Sequence, residues 1–90
     1  MLNQVVAVGR IYSMEHGKLV IAVPRSFKNP NGEYETDYID ARITSSVETN
    51  VSTYCEVGDL VGIKGRLESN ANQMFVIAEK VTFLSSRKKD

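Results

Sequence analysis

The sequence predicts an all-β domain of five strands closing into a small barrel, with one short helix between the third and fourth strands. Three observations predict it. Apolar residues alternate with others over five segments of strand length. Only one segment, between the third and fourth of these, carries an apolar repeat of helical period. Glycines fall on the core-facing side of two strands, Gly9 in the first and Gly65 in the fourth, where a missing side chain lets a strand bend or another backbone approach. A small closed sheet needs such corners.

The first strand is expected over residues 3–12, with Val5, Ala7 and Gly9 on one face and Val6, Val8 and Arg10 on the other. Apolar residues on both faces predict burial on both. Residues 13–17 read as a turn around His16 and Gly17. The second strand follows over 18–23, with Leu19, Ile21 and Val23 inward, and Pro24 ends its ladder or marks an edge. Beyond it Phe27 lies between Arg25 and Lys28, at the mouth of the turn 29–32. The third strand, 34–43, places Ile39, Ala41 and Ile43 inward and Tyr38, Asp40 and Arg42 outward, so Tyr38 projects from the same hairpin as Phe27.

Residues 45–55 form the expected helix. Ser45 and Glu48 read as a capping box, and Val47, Val51, Tyr54 and Cys55 form its apolar stripe. The fourth strand, 58–67, points Val61, Ile63 and Leu67 inward and Leu60, Gly62, Lys64 and Arg66 outward, so two cations share its outer face. After a turn at 69–72 the fifth strand, 73–84, sets Phe75, Ile77, Val81 and Phe83 on one face and Met74, Val76, Ala78 and Leu84 on the other. The domain is expected over residues 1–84, followed by a short polar tail, 85–90, whose Arg87, Lys88 and Lys89 add at most a weak contact.

Ninety residues hold one domain, small enough that oligomerisation would stabilise it. The single cysteine, Cys55, excludes an internal disulfide or a cysteine-based zinc site within one chain and reads as a buried small hydrophobe. No apolar run could cross a bilayer, and the N-terminus lacks the pattern of a signal peptide, so a cytoplasmic protein without membrane contact is expected. Lysine plus arginine and aspartate plus glutamate both number 11, so any polyanion must be held by a local basic surface.

Phe27 and Tyr38 are the leading candidates for stacking on bases, with Tyr34 and Tyr12 behind them and Tyr54 assigned to the core. Arg10, Arg25, Lys28, Arg42, Lys64 and Arg66 are the candidate phosphate contacts. Glu33, Glu35, Asp37 and Asp40 have no histidine nearby in sequence; they read as solvated carboxylates that would repel a polyanion from that rim rather than as a metal site. His16 is expected to be exposed and inert. No nucleophile elbow, phosphate-binding loop or metal-ligand spacing occurs, so neither an enzyme nor a cofactor is expected.

Three strands, a helix and two further strands, the first strand bent, is the order of an OB-fold. The segments NQVVAVGRI (3–11), IAVPRSFKNPNGEYETDYI (21–39), GDLVGIKGRL (58–67) and VIAEKVTFL (76–84) resemble the bacterial single-stranded DNA-binding proteins. The resemblance implies binding of single-stranded DNA, with RNA allowed, by stacking on Phe27 and Tyr38 with Arg25 and Lys28 beside the first. It also implies a homodimer or homotetramer built on the first strand, with Asn3, Val5, Val6 and Val8 at the interface. Three departures stand out: Thr44 replaces a further aromatic, two hairpins are short, and the glycine-rich linker and acidic tip that recruit replication proteins do not follow the barrel. Two functions remain open. One is a single-strand binder in replication, recombination or repair; the other is a protein-interaction module of a replication-restart assembly that binds single strands weakly.

Overall fold

β1 (Val5–Glu15) belongs to two ladders at once. In the computed structural model, which describes residues 1–86, β1 pairs through Val5–Arg10 with β4 (Leu60–Asn70) and through Arg10–Glu15 with β2 (Lys18–Lys28). It changes partner at Gly9 and Arg10, and a Cβ on Gly9 would stand 2.6 Å from the carbonyl oxygen of Ala22. β2 pairs with β3 (Tyr34–Ile43), and β5 (Gln73–Ser85) joins β3 in parallel and β4 antiparallel, closing the order β1-β2-β3-β5-β4. The expected five-stranded barrel is therefore the observed fold.

The core is drawn from every element. Ile11, Leu19, Ile21, Ala41, Val61, Ile63, Val76 and Ala78 fill the barrel, and Val51 and Cys55 reach it from α1 (Ser45–Tyr54). Burial pushes the Cys55 thiol above its ordinary range, with the charge of Asp59 adding to the effect, which suits a packing residue rather than a nucleophile.

The helix departs from expectation in two ways. Its N-cap is Thr44, whose hydroxyl accepts from the Val47 amide, rather than Ser45. Glu48 forms no capping box: its carboxylate accepts from the Gly17 amide and pairs with His16 at 2.9 Å, tying the helix to the β1–β2 turn. His16 is exposed as expected but has this partner. Tyr54, expected inside, is 73% exposed, because Val47, Val51 and Cys55 alone define the inward stripe.

Four irregularities break strict alternation, one of them at Leu84, where Leu60 pairs with Ser85 but Val61 with Phe83. Between Ile11 and Ser13 the β1–β2 register slips by one, at Tyr12. Between Pro24 and Lys28 the β2–β3 register slips again: Pro24 has no amide to donate, yet β2 resumes instead of ending. In β5 Lys80 pairs with Lys64 and Ala78 with Gly65, so Glu79 is extra and the faces exchange there. Val76, Ala78 and Val81 therefore all face the core, whereas strict alternation had set Val81 against the other two.

β1 is not buried on both faces within one chain: Val6 is 71% and Val8 49% exposed. Beyond Gly65 and before Val76, β4 and β5 pair only with each other and run out as an arm, which leaves Leu67 partly exposed instead of in the core. The arm ends in a two-residue turn at Ala71 and Asn72, both with positive φ, the geometry that matches strand twist in tight hairpins.

Candidate nucleic-acid interface

Tyr38 stands at the centre of the outer surface. It lies opposite the small Ala22 on β2, and its ring meets that of Tyr12 edge to face at 4.8 Å. Tyr12 follows Arg10 on the outer face by plain alternation, and Arg10 pairs with Ala22 and Ala22 with Tyr38, so the two rings share a side. Both tyrosines are about 60% exposed, and with Val8, Arg10, Pro24 and Leu60 they line a shallow hollow of about 350 Å³. Arg10 is held there by donating from Nη1 to the Gly58 carbonyl at 3.1 Å.

Phe27 lies further along β2, on the order of 15 Å from the level of Tyr38 at strand spacing. It is 84% exposed because it falls in the stretch freed from the ladder after Pro24. Its hollow, about 510 Å³, is lined by Pro24, Arg25, Lys28, Pro30 and the carboxylates Glu35 and Asp37. Pro24 lines both hollows and joins them. The loop behind Phe27 is held by Asn29, whose Oδ1 accepts from the amides of Asn31 and Glu33. Lys28 sits 5.7 Å from the ring centre of Tyr34, so these two candidates meet each other.

On the other side of Tyr38 a hollow of about 540 Å³ opens where β3 separates from the arm, lined by Asp40, Leu67, Met74 and Phe75 among others. Phe75 was not among the expected site residues. The Arg42 guanidinium stacks over its ring at 4.9 Å, a cation on an aromatic face of the kind that also receives a base. An aromatic in a strand pattern was its only signal; its neighbour Arg42 comes from a strand paired with β5 in parallel.

The expected cations differ in their freedom. Arg25 donates from Nε and Nη2 to Asp37 and from Nη1 to Glu35, at 2.9–3.2 Å. Hydrogen bonding from Arg25 holds the Asp37 carboxyl below its usual range, and the pairing raises Arg25 further. Arg66 pairs with Glu68 at 2.5 Å and Glu79 at 3.8 Å, and Asp40 sits between Lys18 and Arg42. Lys64 faces Lys80 across β4 and β5 and has no carboxylate partner among the described residues. No group of three or more metal-ligating side chains occurs among the described residues. The tail cluster Arg87, Lys88 and Lys89 lies outside them.

The four expected interface residues separate. Val6 and Val8 form an exposed apolar strip, continued by Leu84, whose Cδ1 would lie 3.7 Å from a Cβ on Gly62. Val5 packs against the core instead, because it points inward. Asn3 clasps Leu67 through two hydrogen bonds of 2.9 Å between its amide and the Leu67 backbone, so its polar group is engaged within its own chain.

Comparison with known proteins matches this geometry to one group. The model of the single-strand binding protein family covers residues 2–83. Single-stranded DNA-binding protein B of Bacillus subtilis is 31% identical, over all of this chain and 96% of its own length. Among solved structures, the Plasmodium falciparum SSB complex with ssDNA superposes with a TM-score of 0.71 at 16% identity, covering 94% of this chain and 96% of that one. The dimeric N-terminal domain of PriB from Thermoanaerobacter tencongensis superposes with a TM-score of 0.67 at 24% identity, covering 93% and 98%. With its closed barrel and exposed aromatics, and with the family model matching all but its ends, the chain belongs to the single-strand binding protein family.

Proposed function

We propose that this protein binds single-stranded DNA across the outer face of its barrel, along the line Phe27, Tyr38 with Tyr12, and Phe75. The observation that carries the reading is the exposure of Phe27, Tyr12 and Tyr38 in joined hollows on a barrel of this family. Exposed rings stack on any base, and the cations beside them take phosphates, so binding tolerates any sequence. Lys28, Arg10, Lys64 and Arg66 are the phosphate contacts in this reading, and Tyr34 supports Lys28. The family's proteins bind DNA without catalysing a reaction, and the same holds for this chain. No helix among the described residues is long and apolar enough to cross a membrane, and a cytoplasmic location beside the DNA belongs to the same reading. The replication-restart alternative is not favoured, since both the family model and the Bacillus relative point to single-strand binding.

Titrating labelled oligothymidylate and a duplex of equal length at low and moderate salt tests the proposal. Submicromolar binding that prefers the single strand and weakens with salt is the expected result. Equal binding to duplex, or none to either, would refute it.

The strip of Val6, Val8 and Leu84 supports assembly of copies through β1 into a dimer or tetramer. Val8→Asp places a charge in that contact and is expected to weaken association by about a hundredfold or more. Light scattering after size exclusion reads the result. A Val8→Asp chain of unchanged mass would place the interface elsewhere.

A further inference from the structure

The outer surface of this chain is rich in arginine, yet each arginine near the aromatic line already has a partner. Arg10 is bonded to a carbonyl, Arg42 to Asp40, and Arg66 to Glu68 and Glu79. Arg25 is the extreme case. It lines the hollow of Phe27, where a phosphate next to a stacked base would need it, and Asp37 already fills the fork. Nε donates to both Asp37 oxygens at 3.1–3.2 Å, Nη2 to Oδ1 at 2.9 Å, and Nη1 to Glu35 at 3.0 Å. A phosphate would use the same parallel donors, because the two non-bridging oxygens of a phosphodiester share one negative charge as the two oxygens of a carboxylate do, and the guanidinium fork takes either pair.

Resting on the single-strand reading above, we propose that Asp37 and Glu35 act as a built-in competitor for Arg25, limiting its affinity for the phosphates of a strand stacked on Phe27. Asp37 and Glu35 lie two residues apart on one face of β3, and Asp37 pairs in register with Val23, just before the freed stretch of β2. The clamp thus closes across the strand pair at the point where β2 leaves its ladder. All three side chains are about half exposed, so an incoming phosphate can reach them and displace the carboxylates. Asp37 also lines the hollow of Phe75, so its charge faces both ends of the proposed path. Hydrogen bonding from Arg25 holds the Asp37 carboxyl below its ordinary range, so the Asp37 arm of the clamp persists to lower pH than an unpaired aspartate would. By contrast Lys64 and Lys80 face each other without a carboxylate partner among the described residues, a like-charge pair tolerated at some cost and open to phosphate. The outer face thus leaves Lys64 open to phosphate and holds Arg25 back.

The test titrates the native chain, Asp37→Asn with Glu35→Gln, and each of these with Arg25→Gln, using labelled oligothymidylate over about 50–300 mM salt. The clamp variant is expected to bind about three- to tenfold tighter at the low end. Its slope of log affinity against log salt should steepen by about 0.7, the value of one added phosphate contact on a single strand. Both gains should vanish when Arg25 is also replaced. If the native protein binds and the clamp variant binds equally or more weakly, the competitor role is overturned while single-strand binding stands. A gain that survives Arg25→Gln overturns it too, because loss of negative charge alone would then suffice. If neither protein binds, the functional reading falls and the inference with it. Circular dichroism confirms folding; should the double variant fail to fold, Asp37→Asn alone carries the same comparison.

Discussion

Gly65→Ala is expected to lose about 3–5 kcal/mol of stability and to melt roughly 15–30 °C below the native protein. A Cβ at position 65 would lie 1.8 Å from the carbonyl oxygen of Ile77 and 2.9 Å from its carbonyl carbon. Both are backbone atoms of β5, so no rotamer change can relieve the overlap. The strands would have to part at the point where the β4–β5 register slips, beside the three pairs through which β3 and β5 close the barrel. Gly62→Ala is the control. Its Cβ would meet only Leu84 Cδ1 at 3.7 Å and Val8 Cγ2 at 3.9 Å, ordinary contacts, so the melting temperature should move by a few degrees at most. Thermal and urea melts followed by circular dichroism decide between them. A Gly65→Ala protein melting as Gly62→Ala does would show that the close approach at Ile77 is not what requires glycine.

Replacing Phe27 and Tyr38 together by alanine should weaken binding of oligothymidylate at least about thirtyfold, since each stacked base contributes about 1–3 kcal/mol. The barrel should survive the change. Phe27 is 84% and Tyr38 59% exposed, and the only ring Tyr38 meets among the described residues is the equally exposed Tyr12. Tyr54→Ala provides the comparison: its ring is 73% exposed but lies on α1, outside the aromatic line, and its loss should leave affinity unchanged. The slope with salt should stay near the native value in the double variant, because stacking releases no counterions. Native affinity in the Phe27→Ala, Tyr38→Ala protein would eliminate stacking at these positions, and a decrease matched by Tyr54→Ala would mean a general effect of exposed rings.

Five strands, one helix and their order were legible in the sequence because each is written in a local period: two for Leu19, Ile21, Val23 and Val61, Ile63, and near four for Val47, Val51, Cys55. Gly9 and Gly65 were legible as corners for the same reason, since a glycine interrupting an inward face is visible without knowing its partner. What crosses from strand to strand was not legible. The slips after Pro24 and at Glu79 depend on the register of the facing strand, and they decide that Phe27 swings outward and that Val81 turns to the core, while the meeting of Tyr12 with Tyr38 depends on β1 and β3 flanking the same stretch of β2. Whether a cation is free is likewise a matter of neighbours. Arg25 and Lys64 read alike as candidate phosphate contacts in the sequence, and only the folded chain sets Asp37 and Glu35 against the first and Lys80 opposite the second. Pattern alone set which residues lie inside wherever a strand keeps its alternation within the barrel, and it failed at Val81, Leu67 and Tyr54, where a slip, the arm and the helix's narrow inward stripe decide burial. Contact across the sheet set which outside residues have partners, because electrostatics and stacking act between atoms that are distant in the chain.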